Sequence, residues 1–232
     1  MAAITCGVGC DEMSRVLIAC EESQAVTIAF RNLGHEAFSC DLQECSGGHP
    51  EWHHQGDVFE YMANSEPFDL MIGHPPCTYI SYAGTSSWNN PGRIWKRLKA
   101  LEFFARLWEV DIPRICLENP KSCASPVIAK YSQVIQPYYF GDSFMKTTWL
   151  WLKNLEPLKH SPVDTLFEEA THIEKPEPYY IAESGKAVHW CDTFGGGGNG
   201  AKNRSKTFPG IANAMAIQWG GLLNTTNEQT TY

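Results

Sequence analysis

Two absences bound this chain before any motif is read. None of its apolar runs approaches the roughly 20 residues that cross a bilayer, and its first residues lack the basic-then-apolar pattern of a secretory signal. The expectation is therefore a soluble, cytoplasmic protein with no membrane partner. Positive charge is also scarce, with 18 Lys and Arg against 26 Asp and Glu and a formal net charge of −8. That is the wrong sign for a chain whose main task is to grip a polyanion, although a local basic patch still acts within a screening length of about 10 Å.

What is present suits one α/β domain. The 232 residues, 43% of them hydrophobic and 12% aromatic, are enough for a sizeable core with little left over for a second. Nine cysteines are many, but Cys20, Cys40 and Cys116 fall inside apolar stretches, where a small hydrophobe is wanted. They read as reduced thiols rather than a disulfide framework. Cys45, His49 and His53 recur every fourth residue beside His54, a spacing that puts metal ligands on one helical face. Gly47, Gly48 and Pro50 argue against that helix, so the stretch reads as a polar loop and no metal site is assigned.

Along the chain, residues 1–14 read as a flexible leader and 15–155 as the main α/β domain. Residues 156–203 form a small proline- and glycine-rich insert, 204–223 a terminal helix that completes the domain, and 224–232 a polar tail. Val16 to Cys20 predicts a central strand, Gln24 to Leu33 a helix ended by Gly34, and Glu36 to Cys40 the next strand. A strand, a helix and a second strand ending in Asp41 make the first half of a nucleotide-binding unit, in which the acid can hold a ribose diol. Asp57 stands at the head of the next acidic loop. Arg93 to Trp108 predicts a helix with Ile94, Leu98, Leu101, Phe104 and Leu107 on its inner side and Arg93, Lys96, Arg97 and Lys99 crowding its start. Cations there oppose the helix dipole, which calls for something anionic nearby or a solvated face. Val134 to Gly141 and Thr147 to Leu152 read as strands around a turn, and residues 177–190 as a small hairpin.

The chemistry concentrates at two strand ends. Asp69 to Gly73 is an apolar run that His74-Pro75-Pro76 must stop, because proline donates nothing to a sheet ladder and biases the residue before it away from helix. Cys77 is thereby delivered to a loop at the carboxyl end of a strand, where open α/β sheets bind ligands. A thiol there is a soft nucleophile with a thiolate fraction at neutral pH. Ile115-Cys116-Leu117 reads as a second buried strand, closed by Glu118-Asn119-Pro120.

Pro75-Pro76-Cys77 followed by Glu118-Asn119-Pro120 resembles the catalytic pair of the DNA cytosine-C5 methyltransferases, whose hallmark is Pro-Cys on one loop and Glu-Asn-Val on the next. The likeness covers roughly residues 16–155 and 204–219. It implies a Rossmann-like class I fold, a mostly parallel sheet with helices on both faces, and S-adenosylmethionine as cofactor. It also implies that Cys77 adds to C6 of a cytosine in DNA while Glu118, kept as an acid by burial, protonates N3. Pro76 would fix the approach of Cys77, and Asn119 would orient the loop. The cofactor would lie against Ala19, Cys20, Glu21, Glu22, Ser23, Asp41, Leu42, Asp57, Val58 and Pro75.

Tyr79, Ser81, Arg93, Arg97, Thr148 and Arg204 are the implied substrate contacts. The family's Gln-x-Arg-x-Arg segment is replaced by Phe144, Lys146 and Thr148, so one cation survives, and Lys146 joins the catalytic group. Glu22, Gln24 and Ala25 stand where the family carries glycines after the first strand. Two other functions fit the same residues: a pyrimidine C5-modifying enzyme that takes a free nucleotide, favoured by the acidic charge, and a silent binding protein on the same fold, favoured by the missing glycines.

Overall fold

The structure, a computed structural model, describes residues 13–164, 169–185, 187–193 and 206–220. Seven strands make the main sheet: β1 (Arg15–Ala19), β2 (Glu36–Asp41), β3 (His53–Gln55), β4 (Leu70–Gly73), β5 (Arg114–Asn119), β6 (Gln133–Ile135) and β7 (Thr148–Lys153). Their order in space is 3-2-1-4-5-7-6, and β7 runs antiparallel to both β5 and β6 while the other pairs are parallel. This is the fold of the Rossmann-like class I S-adenosylmethionine-dependent methyltransferases, as the sequence led us to expect. The chain reverses its direction of travel between β1 and β4, so a crevice opens at their carboxyl ends.

Alternation along the strands explains the layers. Val16 and Ile18 of β1 face one side and pack with α1 (Ala25–Asn32) and the terminal helix, while Leu17 and Ala19 face the other with α2 (Val58–Ala63) and α3 (Arg93–Trp108). Every residue of β4 is buried, as a central parallel strand covered on both faces requires. Among the described residues, short helices α4 (Ala124–Val127) and α5 (Trp190–Thr193) join the terminal helix α6 (Pro209–Gly220). A hairpin of β8 (Tyr180–Ile181) and β9 (Ala187–Val188) stands apart from the main sheet, where the sequence placed one.

Helix α6 closes over β1 and α1 through Ile211, Met215 and Trp219, all in one core cluster. Gly210 makes the approach possible, since a Cβ there would sit 2.0 Å from the Phe140 carbonyl oxygen. Its N–H donates to Asp142 Oδ2 at 2.8 Å. The start of the expected insert belongs to this same body: Leu158 is buried, and Gln218 exchanges two hydrogen bonds with the Lys159 backbone.

Three expectations need correction. β3 was not foreseen, because His53-His54-Gln55 is a polar edge strand with no alternation to read. Tyr138 to Gly141 is not strand: Pro137–Phe140 is a 3-10 turn, initiated by a proline that has no N–H to give a ladder. The inner face of α3 is not the apolar stripe, for Ile94 and Leu98 are 60% and 52% exposed and only Phe104 and Leu107 are buried. The first turns instead lie over the loop after Cys77, with Arg93 and Arg97 underneath.

Candidate active site

β4 and β5 are parallel neighbours, in register from Leu70↔Arg114 to Gly73↔Leu117, so the loops they feed emerge side by side. β5 continues through Glu118 and Asn119 rather than stopping before them, because both residues pair with β7. Asn119 Nδ2 donates to the Pro75 carbonyl at 2.7 Å, which ties the strand carrying the acid to the loop carrying Cys77. A second tie lies further out, where Tyr82 N–H donates to Lys121 O, Cys123 N–H donates to Ile80 O, and Ser81 bridges Ser122. The Cys77 carbonyl accepts the N–H groups of Ile80 and Ser81, and the resulting turn holds the thiol at the loop's start.

Glu118 is buried, and three neighbours address its carboxyl group. His74 Nδ1 lies 3.3 Å from Oε2, Thr148 hydrogen-bonds it from β7, and Lys146 acts on it from the turn before β7. Burial works to raise its pKa, but the Lys146 charge, His74 and Thr148 outweigh burial and hold it below the ordinary glutamate value. The expectation of a Glu118 kept neutral by burial is therefore corrected: in this state it is a carboxylate. The reason is the company it keeps, since Lys146 comes from the turn before β7 and Thr148 from β7 itself, both distant in sequence.

Lys146 is itself placed by its surroundings. Gln136 Oε1 accepts the Lys146 backbone N–H at 3.0 Å, and the ammonium sits 5.9 Å from the centre of the Phe208 ring. Both residues that stand in for the family's arginines act on the acid, Lys146 by its charge and Thr148 from β7.

The β1 loop keeps the backbone shape of a glycine turn without the glycines. Cys20 and Gln24 adopt φ of 61° and 58°, a region that non-glycine residues enter at a cost of about 1–2 kcal/mol. Gln24, fully buried, anchors the loop that follows β2: its Oε1 accepts His49 N–H at 3.0 Å and its Nε2 donates to His49 O at 2.7 Å. Gly47 fits only because it has no side chain, as a Cβ there would lie 2.5 Å from Gln24 Cβ. Glu21 turns inward and caps α1, accepting the Val26 N–H at 2.7 Å and the Thr27 hydroxyl at 2.8 Å. Glu22 is buried, and Ser23 is half-buried.

At the end of β2, Asp41 Oδ1 accepts the Gln43 N–H at 2.9 Å, and Leu42 beside it is 75% exposed. A carboxylate with lone pairs to spare, next to bare apolar surface, suits a ribose diol and an adenine ring. Asp57 is the N-cap of α2, with Oδ1 accepting Phe59 and Glu60 N–H groups, and Val58 is buried behind it. The left-handed loop, Asp41 and Leu42 thus fit an adenosyl cofactor, while Glu21 is committed to its helix.

The expected substrate contacts on α3 serve the Cys77 loop. Arg93 donates to Thr78 O, Arg97 donates to Tyr79 O and Trp88 O, and their guanidinium groups cover the rings of Tyr79 and Trp88. Those carbonyls and ring faces meet the cations that the helix dipole disfavours. Ser81 caps the 3-10 turn Tyr82–Ser87, and Tyr82 stacks on Trp88. Arg204 lies outside the described residues.

Four other thiols are held in the protonated form. Burial pushes Cys40 up to about 12 and raises Cys20, Cys116 and Cys123 as well. The histidines of residues 49–54 act as staples: His49 stacks on Trp52, His54 on Tyr61, and His53 Nδ1 lies 2.8 Å from Ser39 Oγ. Among the described residues no helix is long and apolar enough to cross a membrane.

Two residues escaped the sequence reading. His74 registered only as a residue that proline pushes out of helix, and Gln24 only as a lost glycine. A polar side chain between a strand end and the Pro-Pro-Cys turn was the available signal for His74.

No family model matches the chain, and no curated protein does. Among solved structures, it is similar to the Entamoeba histolytica methyltransferase EhMeth at a TM-score of 0.46 and 14% identity, over 71% of this chain and 58% of that one. WbdD, crystallised with a kinase inhibitor, follows at a TM-score of 0.35 and 14% identity, over 64% and 39% of the two chains. The chain thus spans less than two thirds of either. Strand order and direction carry the fold class, not these scores.

Proposed function

We propose that the protein is an S-adenosylmethionine-dependent methyltransferase that modifies C5 of cytosine in DNA through a covalent Cys77 adduct at C6. The observation that carries this reading is the joined pair of loops: Asn119 bonds Pro75, and the Cys77 turn and the Glu118 carboxylate rise from adjacent strands. Asp41, Leu42 and the β1 loop would hold the cofactor, with Pro75 at its reactive end. When bound, the cofactor supplies a methyl group on a sulfonium, to which an electron-rich ring carbon is the matching nucleophile.

The chain's own residues make that carbon electron-rich. Cys77 adds at C6 as a thiolate, and the charge pushed into the ring gathers at N3 and the exocyclic amine; Glu118, taking up a solvent proton as the base enters, would hand it to N3 and recover it when Cys77 leaves. Lys146 and Thr148 fix the carboxyl group for that contact. In a duplex the base must first leave the stack. A free pyrimidine nucleotide is the second reading, favoured by the net charge of −8 and by Arg93 and Arg97 being spent on loop carbonyls.

A labelled-methyl assay offering duplex DNA, single strands and nucleotides decides among these. Label in DNA that disappears in Cys77→Ser, with the variant's circular dichroism unchanged, supports the proposal. Label confined to nucleotides moves the substrate to the second reading, and turnover retained by Cys77→Ser removes the thiol from the mechanism. Heat on titrating S-adenosylhomocysteine excludes the silent binding protein; its absence favours it.

A further inference from the structure

Charge is unevenly distributed along this acidic chain. From Leu70 to Leu101 there are four of its 18 Lys and Arg and none of its 26 Asp and Glu, the next acid being Glu102. That stretch holds β4, the Cys77 loop and the first turns of α3, so these cations and the thiol share one region. Arg93 and Arg97 are turned onto loop carbonyls. Lys96 and Lys99 are exposed instead, and neither has a carboxylate partner among the described residues. Each ammonium faces a ring: Lys96 lies 5.6 Å from the centre of Tyr79, and Lys99 lies 5.6 Å from the centre of Trp95.

The same turns leave large apolar side chains in water. Trp95 is 63% exposed, and Ile94 and Leu98 beside it are exposed too. Residues three and four apart are neighbours on a helix, so Ile94, Trp95 and Leu98 make one strip, with Lys99 a turn beyond Trp95. The strip runs on toward the thiol: Tyr79 lies under Arg93 and Lys96, the carbonyl of exposed Thr78 accepts from Arg93, and Cys77 is the residue before it. A surface with cations beside bare ring and aliphatic faces is matched to a polyanion that shows its bases. A duplex hides those base faces in its stack, whereas a single strand offers them.

We propose that the exposed face of α3 binds the single-stranded DNA that flanks the target cytosine, with Lys96 and Lys99 on its phosphates and Trp95 stacked on a neighbouring base. This rests on the pyrimidine reading and chooses within it: the strand is single, so the target reaches Cys77 without first leaving a duplex. It also fits a net charge of −8 to a polyanionic substrate, since the cations that grip are gathered next to the thiol and act within a screening length.

Fluorescence anisotropy on the full chain, without cofactor, tests this with a labelled cytosine-containing oligodeoxynucleotide offered as a single strand and as a duplex. The single strand is expected to bind about tenfold more tightly. Trp95→Ala should weaken the single strand about tenfold and the duplex less than about twofold, while Trp95→Phe, which keeps a ring, restores most of the loss. Lys96→Gln combined with Lys99→Gln should flatten the slope of log affinity against log salt by about 1.4, or about 0.7 for each phosphate contact removed. All three positions are exposed, and thermal melts that match the wild type show that the variants fold. A duplex bound as tightly as the single strand, variants that keep the wild-type affinity and slope, or a chain that binds neither form overturns the proposal. So does Trp95→Ala turning a dimer into a monomer in sedimentation with strand binding intact, which would assign the strip to a second copy. Since binding is read without methyl transfer, a chain that grips single strands through α3 yet labels no pyrimidine refutes the reaction and not this surface. Label in free nucleotides with no strand binding does the reverse.

Discussion

Glu21 and Glu118 are both buried glutamates at the carboxyl ends of parallel strands, yet they are tuned in opposite directions. Glu21 spends its oxygens on the N–H groups and hydroxyl at the start of α1, and burial outweighs those bonds and the His74 charge to raise its pKa. Glu118 is approached by Lys146, His74 and Thr148, which outweigh the same burial and lower it. Burial alone therefore says nothing about which acid is ionised. A carboxylate that caps a helix is a structural part, and one that faces an imidazole and a cation is available for chemistry.

The largest effect separating them is on turnover. Glu118→Gln is expected to lower methyl transfer about 10³-fold, while Glu21→Gln, which keeps an acceptor for the α1 N–H groups, lowers it less than about tenfold. Equal losses would erase the distinction. On stability, Glu21→Ala is expected to cost about 2 kcal/mol, since it strips a buried helix start of its acceptor, and thermal melts should show it. A melting temperature within error of the wild type would mean that α1 does not depend on this cap.

Their pH dependences should oppose each other. The stability that Glu21 contributes is present below the ordinary glutamate value of 4.5 and is lost as pH rises through its raised folded value. Glu21→Gln should therefore gain on the wild type as pH increases above about 4.5. The contribution of Glu118 is present above 4.5 and is lost as pH falls through its lowered folded value. The deficit of Glu118→Gln should thus be widest near neutrality and close in acid. Urea denaturation across pH checks both, and parallel slopes would refute the assignment. The smallest effect concerns Gln24→Gly, where relief of a left-handed φ offsets the lost amide bonds to His49; we expect a net change under about 1 kcal/mol.

The frame of the fold was open to reading because its stop signals are local. Proline after Gly73 and the glycine at position 34 end elements by their own geometry, so β1, α1, β2 and the β4 loop could be placed from neighbours in sequence. β3 could not, since its three polar residues gain their strand character only from β2. The face of α3 failed for a related reason: periodicity counts apolar residues and cannot see that carbonyls of a distant loop await Arg93 and Arg97. In the site, Cys77 and Glu118 were legible from their motifs, and Lys146 and Thr148 from the resemblance. The ionisation of Glu118 was not, because it is set by His74 and Lys146 across the sheet, and sequence spacing does not measure that distance.

The single reversed strand has a consequence for the order in which the molecule is made. β1, β2, β4 and β5 are all complete by Asn119, so an emerging chain can zip that parallel block while later residues are still in the ribosome. Lys146 and Thr148 arrive only when β7 slots in backwards beside β5, so Glu118 waits through that interval without the cation that settles its charge. A chain released before β7 therefore carries Cys77 and Glu118 without the cation that faces the acid.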